Sequence, residues 1–226
     1  MTATAPVPTC SAILVAAGSS QRMGFDKLAA PLAGVAVLRA TLDAFLAAES
    51  IAEVVIVCPE ERWSLLGEPV FSKPVKRVDG GRERQDSVAA GLAALSSTSH
   101  FVAVHDAARP LIRPADINRC VAMAIQYRAA ALARRVTETL KRADADDFSA
   151  AAVSRDQLWF METPQVFEVP LLREAYQAVA AQGLTVTDEV SALEALGVPV
   201  KLVESHHPNP KITTPADLAL AAALLS

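Results

Sequence analysis

Cysteine, excess positive charge and long apolar runs are all scarce in this sequence, and each scarcity removes a class of function. The three cysteines, Cys10, Cys58 and Cys120, are odd in number and lack the paired spacing of a metal site or a disulfide framework. Cys58 closes an apolar run and reads as a buried thiol, so a reducing cytoplasm is the simplest compartment. The formal net charge of −4 argues against a general nucleic-acid-binding surface. No apolar run reaches the roughly 18 residues that span a membrane. Residues 1–9 have neither a basic start nor an apolar stretch, so they read as a frayed tail rather than a secretory signal. Internal repeats and interdomain linkers are also missing. A chain of 226 residues can bury one good core, and the expectation is a single domain over 1–226 with a small elaboration.

What is present is alternation. Ala12–Val15, Glu53–Cys58, Val75–Val78, Phe101–His105, Ala129–Ala133, Val166–Val169 and Val198–Val203 read as strands. Val37–Ala48, Gln85–Ser96, Pro114–Tyr127, Pro170–Ala181, Asp188–Leu196 and Pro215–Leu225 read as helices. Pro114 and Pro215 suit first-turn positions, Thr214 suits an N-cap, and Thr187 or Asp188 caps the helix they precede. This order predicts an α/β fold: a doubly wound, mostly parallel, Rossmann-like sheet with helices on both faces. Ligands of such sheets sit beyond the carboxyl ends of the strands.

Residues 134–160 break the alternation. Thr137–Arg142 and Ala150–Arg155 flank a polar turn at 143–147, the signature of a protruding β-hairpin arm with an acidic turn. A hairpin of this size cannot bury its own apolar face, so it is expected to pack on another subunit. The plainer reading is a surface excursion.

The chemistry concentrates at strand ends. Ala16-Ala17-Gly18-Ser19-Ser20-Gln21-Arg22-Met23-Gly24, then Lys27, follows the first strand. A small-residue loop there lets backbone N–H groups approach an anion, and two cations make that anion a polyphosphate. It is neither of the two commonest phosphate loops. Gly18 and Gly24 do not fit G-x-G-x-x-G, and Phe25-Asp26 after Gly24 breaks G-x-x-x-x-G-K-[ST]. Attack at a nucleotide phosphorus is the indicated chemistry, with Arg22 and Lys27 offsetting charge on the transferring phosphate and the leaving pyrophosphate. A solvated strand-to-helix turn is the bland alternative. Asp106, in His105-Asp106-Ala107-Ala108-Arg109-Pro110, stands at another strand end, placed to hold Mg²⁺ or a substrate hydroxyl, with Arg109 for a second anion. On its own an Asp there commonly caps a turn. Asp79-Gly80-Gly81 running to Ser87 offers N–H groups and a hydroxyl to a base edge, or an ordinary capped helix start. Lys211 before the last helix, Thr163-Pro164-Gln165 as a turn leading into a strand, and Thr187-Asp188-Glu189 each have equally plain readings alone. His206-His207 reads as an exposed pair without carboxylate spacing.

Taken jointly and in order, these segments resemble one family over nearly the whole chain, Ser11 to Leu225. The strand and loop Ala16-Ala17-Gly18, Arg22-Met23-Gly24 and Lys27 resemble the sugar- and alditol-phosphate nucleotidylyltransferases. Asp79-Gly80-Gly81, Arg84, Asp86-Ser87, His105-Asp106-Ala107-Ala108-Arg109-Pro110, Thr163-Pro164-Gln165, Thr187-Asp188-Glu189 and Lys211-Ile212-Thr213 narrow this to the methylerythritol phosphate cytidylyltransferases of the non-mevalonate isoprenoid pathway. The resemblance implies a Mg²⁺-dependent transfer of a cytidylyl group from CTP to 2-C-methyl-D-erythritol 4-phosphate, releasing pyrophosphate. It implies catalytic roles for Arg22, Lys27, Asp106 and Lys211, with Asp106 near the metal. Ala16, Ala17 and Gly18 would line the nucleotide, and Gly81 and Ser87 would select cytosine. Arg109, Thr163 and Thr187 would line the alditol pocket. It also implies a homodimer in which Thr139 and Arg155 of the arm reach the partner's substrate phosphate. Ribitol-5-phosphate cytidylyltransferase shares most of these motifs, a uridylyl- or guanylyl-transferring relative is a further reading, and a non-catalytic nucleotide-binding dimer is a more distant alternative. Phe25-Asp26-Lys27-Leu28 departs from the family's usual Pro-Lys-Gln, and Asp26 is placed to tune or partly neutralise Lys27. Arg82 stands where an acidic residue is common, and Pro210 replaces the usual apolar residue. The stretch Arg62–Pro69 carries no legible role.

Overall fold

The structure, a computed structural model, describes residues 8–18, 24–67 and 70–225. Its centre is a seven-stranded sheet in the order β11-β7-β10-β6-β1-β4-β5. The strands are β1 (Cys10–Val15), β4 (Ile51–Val57), β5 (Val75–Val78), β6 (Phe101–Asp106), β7 (Ala129–Arg135), β10 (Trp159–Glu168) and β11 (Lys201–Glu204). β10 runs antiparallel to both neighbours, and the other pairs, β1 with β4 and β6, β4 with β5, and β7 with β11, are parallel. The doubly wound, mostly parallel sheet is the fold expected from the alternation.

The central strands read as unbroken apolar runs because both their faces are covered. Ala12 and Leu14 of β1, Val54 and Ile56 of β4, and Ala103 of β6 face one core, with α1 (Val37–Ala47) and α4 (Pro114–Tyr127). Ile13, Val55, Val57, Val102 and Val104 face the other, with α3 (Arg84–Ala93), α5 (Val169–Ala181) and α6 (Glu189–Ala195). Successive side chains of a strand point to opposite faces, so one run of sequence fills both cores. Ile13 and Leu14 are fully buried, each contributing about 1.5–3 kcal/mol of transfer free energy.

The winding creates a switch. From β1 the chain steps to β4 and β5, then returns to β6 on the other side of β1. The loops after β1 and β6 therefore diverge at neighbouring carboxyl ends, where open α/β sheets hold ligands.

Elsewhere the structure adds to or corrects the sequence reading. A tight pair, β2 (Pro31–Leu32) with β3 (Val35–Ala36), precedes α1, and a short helix α2 (Glu60–Trp63) follows β4. Thr163-Pro164-Gln165 lies inside β10 rather than leading into it; pairing to β7 shifts register between Met161 and Gln165, a bulge that accommodates the proline. Thr9 does not fray, because its carbonyl accepts from His100 and Phe101 N–H, both at 3.0 Å. Asp188, not Thr187, caps α6 by accepting from Ser191 N–H. Thr214 caps α7 (Pro215–Ala223) as expected. The cysteines are free and buried, and burial pushes the Cys58 thiol up to about 11. His207 has a carboxylate partner after all, Asp116 at 3.0 Å, contributed by α4. Residues 140–153 form a separate antiparallel hairpin, β8 (Leu140–Ala143) with β9 (Ser149–Val153), outside the central sheet. Among the described residues, no helix is long and apolar enough to cross a membrane.

Candidate active site

A cleft of about 380 Å³ opens at the switch between β1 and β6. Its walls include Ala16, Ala17 and Gly18 after β1, Gly81 and Ser87 around the start of α3, Asp106 at the end of β6, and Lys27 and Lys211 from two loops. These eight residues, drawn from positions 16 to 211, are sequence-predicted site residues brought to one place. Arg22 lies outside the described residues.

The small residues are needed for close approach. A Cβ on Gly80 would sit 2.3 Å from the Ala17 Cβ and 2.9 Å from the Ser87 hydroxyl, so only glycine lets the turn after β5 press against the nucleotide loop. Gly81 N–H donates to Ser87 Oγ at 3.2 Å, and that hydroxyl donates to the Glu83 carbonyl at 3.3 Å. The two groups expected to read a base edge are thus already fixed against each other.

Asp106 is the electrostatic centre. Lys211 Nζ is 2.7 Å from Oδ2, Arg84 Nε is 3.3 Å from Oδ1, and Arg109 Nε is 3.9 Å from Oδ2. Burial opposes ionisation of this carboxyl, but the Lys211 ammonium and the Arg84 and Arg109 guanidiniums outweigh it and hold the group well below the usual carboxylate range. Its backbone is fixed too: Asp106 N–H donates to Thr163 Oγ1 at 3.2 Å. That hydroxyl lies 2.9 Å from His105 Nδ1, and His105 Nε2 lies 3.3 Å from the Arg109 carbonyl. A carbonyl only accepts, so Nε2 carries the proton and Nδ1 accepts from Thr163. Burial pulls the His105 pKa down to about 3, keeping the ring neutral.

The remaining candidates stand apart from the cleft. Thr163 is buried behind Asp106. Arg109 lines a neighbouring cavity of about 620 Å³ together with Arg134, Phe160 and Glu162, and Lys211 lines both cavities. Arg109 also donates to the Asn209 carbonyl at 2.7 Å. Thr187 is exposed and lines neither cavity. Thr139 and Arg155 sit exposed at the arm, where Arg155 donates to the Thr137 carbonyl. Lys27 donates to the Ile212 carbonyl at 2.9 Å, which ties the loop after β1 to the Lys211 loop.

Sequence reading named Arg84, Glu189 and Asp26 but missed the pairings that hold this arrangement. Arg84 lines the cleft and makes a two-pronged contact with Glu189 at 2.6 and 3.0 Å. Glu189 is fully buried and also accepts from Tyr176 at 2.9 Å. Arg62 binds the Ala16 carbonyl and, at 2.7 Å, Asp26. No local spacing marks these pairs.

The protein offers few metal ligands. Among the described residues no cluster of three or more His, Cys, Asp or Glu is present, and Asp106 and Glu83 are the carboxylates lining the cleft. One or two carboxylates suit a Mg²⁺ ion that takes its other ligands from substrate phosphates and water.

A family model described as 2-C-methyl-D-erythritol 4-phosphate cytidylyltransferase (IspD) matches residues 10–226. The chain is 43% identical over 220 residues to the 2-C-methyl-D-erythritol 4-phosphate cytidylyltransferase of Prochlorococcus marinus (strain MIT 9313), covering 95% of this chain and 97% of that one. It is 37% identical over 220 residues to the chloroplastic protein of that name from Oryza sativa subsp. japonica, covering 96% of this chain and 74% of the other. Among solved structures, the 2-C-methyl-D-erythritol 4-phosphate cytidylyltransferase of Thermus thermophilus superposes with a TM-score of 0.80 at 34% identity, over 96% of this chain and 98% of that one.

Proposed function

The chain belongs to the 2-C-methyl-D-erythritol 4-phosphate cytidylyltransferase family, and we propose from that premise that it transfers a cytidylyl group from CTP to 2-C-methyl-D-erythritol 4-phosphate. A phosphate oxygen of the acceptor attacks the α-phosphorus of CTP in line. The bond from that phosphorus to the bridging oxygen breaks, and pyrophosphate leaves. The observation that carries this reading is the convergence of Ala16–Gly18, Lys27, Asp106 and Lys211 on one cleft at the β1/β6 switch.

Little covalent work falls to the protein; positioning and charge compensation suffice. The backbone of Ala16 to Gly18 lines the triphosphate. Lys27, with Arg22 by family resemblance, offsets charge on the pentacoordinate phosphorus and the departing pyrophosphate. Gly81 and Ser87 hold the cytosine edge. Lys211, which lines both cavities, binds phosphate where the acceptor meets the nucleotide. Asp106 stays ionised among its three cations and orients the acceptor hydroxyls. Arg109 extends toward the alditol from the second cavity, with Thr163 and Thr187 assigned to the same subsite by resemblance. Asp106 would be the protein carboxylate to help hold a Mg²⁺ ion bound mainly through the CTP phosphates, and the ion would supply further charge neutralisation.

The active unit is a homodimer in which the arm brings Thr139 and Arg155 to the partner's acceptor phosphate. Their exposure, and their absence from the lining of both cavities of their own subunit, support this arrangement. Three unpaired thiols suit a cytoplasmic setting.

The test is pyrophosphate release from CTP and Mg²⁺, with methylerythritol 4-phosphate and ribitol 5-phosphate as separate acceptors. Release with the first alone is expected. Release with ribitol phosphate alone would keep the chemistry and overturn the acceptor.

A further inference from the structure

We propose that Arg62 is a positioning residue for the nucleotide loop: it clamps both flanks of that loop from behind the cleft, through the Ala16 carbonyl and the Asp26 carboxylate. The inference rests on reading the cleft as the CTP site. Arg62 sits on α2, does not line the cleft, and its side chain is only 9% exposed. A guanidinium so buried needs fixed acceptors, and its planar fork serves two at once. Nε donates to Asp26 Oδ2 at 2.7 Å, and a terminal nitrogen donates to the Ala16 carbonyl. Asp26 is held at its other oxygen as well, by Leu28 N–H at 3.1 Å.

The consequence for the cleft follows from the peptide plane. In a trans peptide the C=O and the N–H of one unit point in opposite directions. Drawing the Ala16 carbonyl toward Arg62 therefore turns the Ala17 N–H the other way. Ala17 lines the cleft, so Arg62 aims that N–H at the nucleotide phosphates. The preceding plane is fixed by Ala16 N–H donating to the Val57 carbonyl at 2.9 Å. On the far flank, anchoring Asp26 fixes the backbone next to Lys27, whose side chain lines the cleft.

This gives Asp26 a role opposite to the one its sequence position suggests. If Asp26 neutralised Lys27, removing its charge would tighten CTP binding. If it anchors the clamp, the same change frees one end of a buried arginine and weakens binding. CTP affinity is measured by calorimetry with Mg²⁺ and no acceptor, on the full chain and on Arg62→Ala, Arg62→Lys and Asp26→Asn. Arg62→Ala and Asp26→Asn are expected to weaken CTP by roughly tenfold, the scale of one lost charge-assisted hydrogen bond. Arg62→Lys, whose point charge reaches one acceptor, is expected to fall between. In turnover assays KM for CTP rises while KM for the acceptor is unchanged, a split that general destabilisation would not produce. A folded Arg62→Ala chain with unaltered CTP affinity would overturn the clamp. If that variant does not fold, Asp26→Asn decides, and unchanged or tighter binding overturns it. A wild-type chain that does not bind CTP would overturn the reading of the cleft itself, and this inference with it.

Discussion

The cleft and the arm use the same polar residue types and hold them in opposite ways. In the cleft, Asp106 is gripped by Lys211, Arg84 and Arg109, and Arg84 is gripped in turn by the fully buried Glu189. In the arm, Ser149 to Ala152 are all exposed and Phe148 is 72% exposed. Arg155 reaches only as far as the Thr137 backbone. A two-stranded ribbon has no second layer against which to fix a side chain. On the proposed function, one subunit would preorganise the nucleotide end of the reaction by itself, and the groups on its arm would act only when a second surface is brought to them.

The largest expected effect tests the cleft side of that contrast. Lys211→Ala removes the closest cation from Asp106 and the one side chain shared by both cavities. Turnover is expected to fall by about 10²–10³-fold, read as pyrophosphate release at saturating CTP. A folded variant with undiminished turnover would dissolve the proposed site.

Arg155→Ala tests the arm. A group that supplies one charge-assisted contact to a partner's substrate is expected to cost roughly tenfold to a hundredfold in turnover, with CTP affinity intact. The sharper form mixes two defective proteins. In a mixed dimer, the cleft of the Arg155→Ala subunit keeps its own Lys211 and receives an intact arm from the Lys211→Ala subunit. Activity is expected to reappear on mixing and re-equilibrating the two. Failure to recover, or full activity in a monomer, would break the shared-site proposal.

How much of this was legible in the sequence follows the same division. Strands covered on both faces announce themselves, because β1, β4 and β6 carry the unbroken apolar runs Ala12–Val15, Val54–Val57 and Phe101–Val104. The loop residues at their carboxyl ends could be named for the same reason, since the fold dictates where those ends gather. What resisted reading was contact at long separation. Arg84 and Glu189 meet across 105 residues, and Arg62 and Asp26 across 36. Arg62, Arg84 and Glu189 sit in short helices among other charges and Asp26 in a loop, and no periodicity distinguishes them from solvated residues. Thr163-Pro164-Gln165 misled for a local reason: proline argues against a strand interior, yet a bulge in β10 admits it. The arm was legible as a hairpin from its turn, and a second subunit was expected because a hairpin of that size cannot bury its own apolar face.

A smaller effect separates the regions by pH. The His105 pKa is lowered from 6.5 to about 3. Below pH 6.5 the unfolded chain takes up a proton that the folded ring refuses, so stability is lost as pH falls toward about 3. The slope from this group approaches about 1.4 kcal/mol per pH unit inside that window. Denaturant midpoints of wild type and His105→Asn between pH 6 and 4 would show it as a difference in slope. Comparing the two curves isolates His105 from Glu162, whose pKa burial raises. The arm holds no buried titratable group, so deleting residues 140–153 should leave the slope in place.

The smallest effect concerns the support of Lys211 rather than the lysine. Thr214 Oγ1 accepts from Asp217 N–H at 3.3 Å, and Asp217 Oδ2 accepts from Thr213 Oγ1 at 2.7 Å and from the backbone N–H groups of Thr213 and Thr214, each at 2.8 Å. Those bonds, the Thr213 hydroxyl first, lower the Asp217 pKa from 3.8 to about 2. Its contribution is therefore present above 3.8 and lost as pH falls toward about 2. Thr214→Ala removes the cap at one end of this reciprocal pair and is expected to cost about 1 kcal/mol of stability. Lys27 still ties the preceding loop to Ile212, so turnover at neutral pH is expected to stay close to wild type. A large loss of turnover in a stable Thr214→Ala protein would mean that the Lys211 loop is positioned by its cap and not by the charges it meets, and the cleft would then depend on local turn chemistry as the arm does.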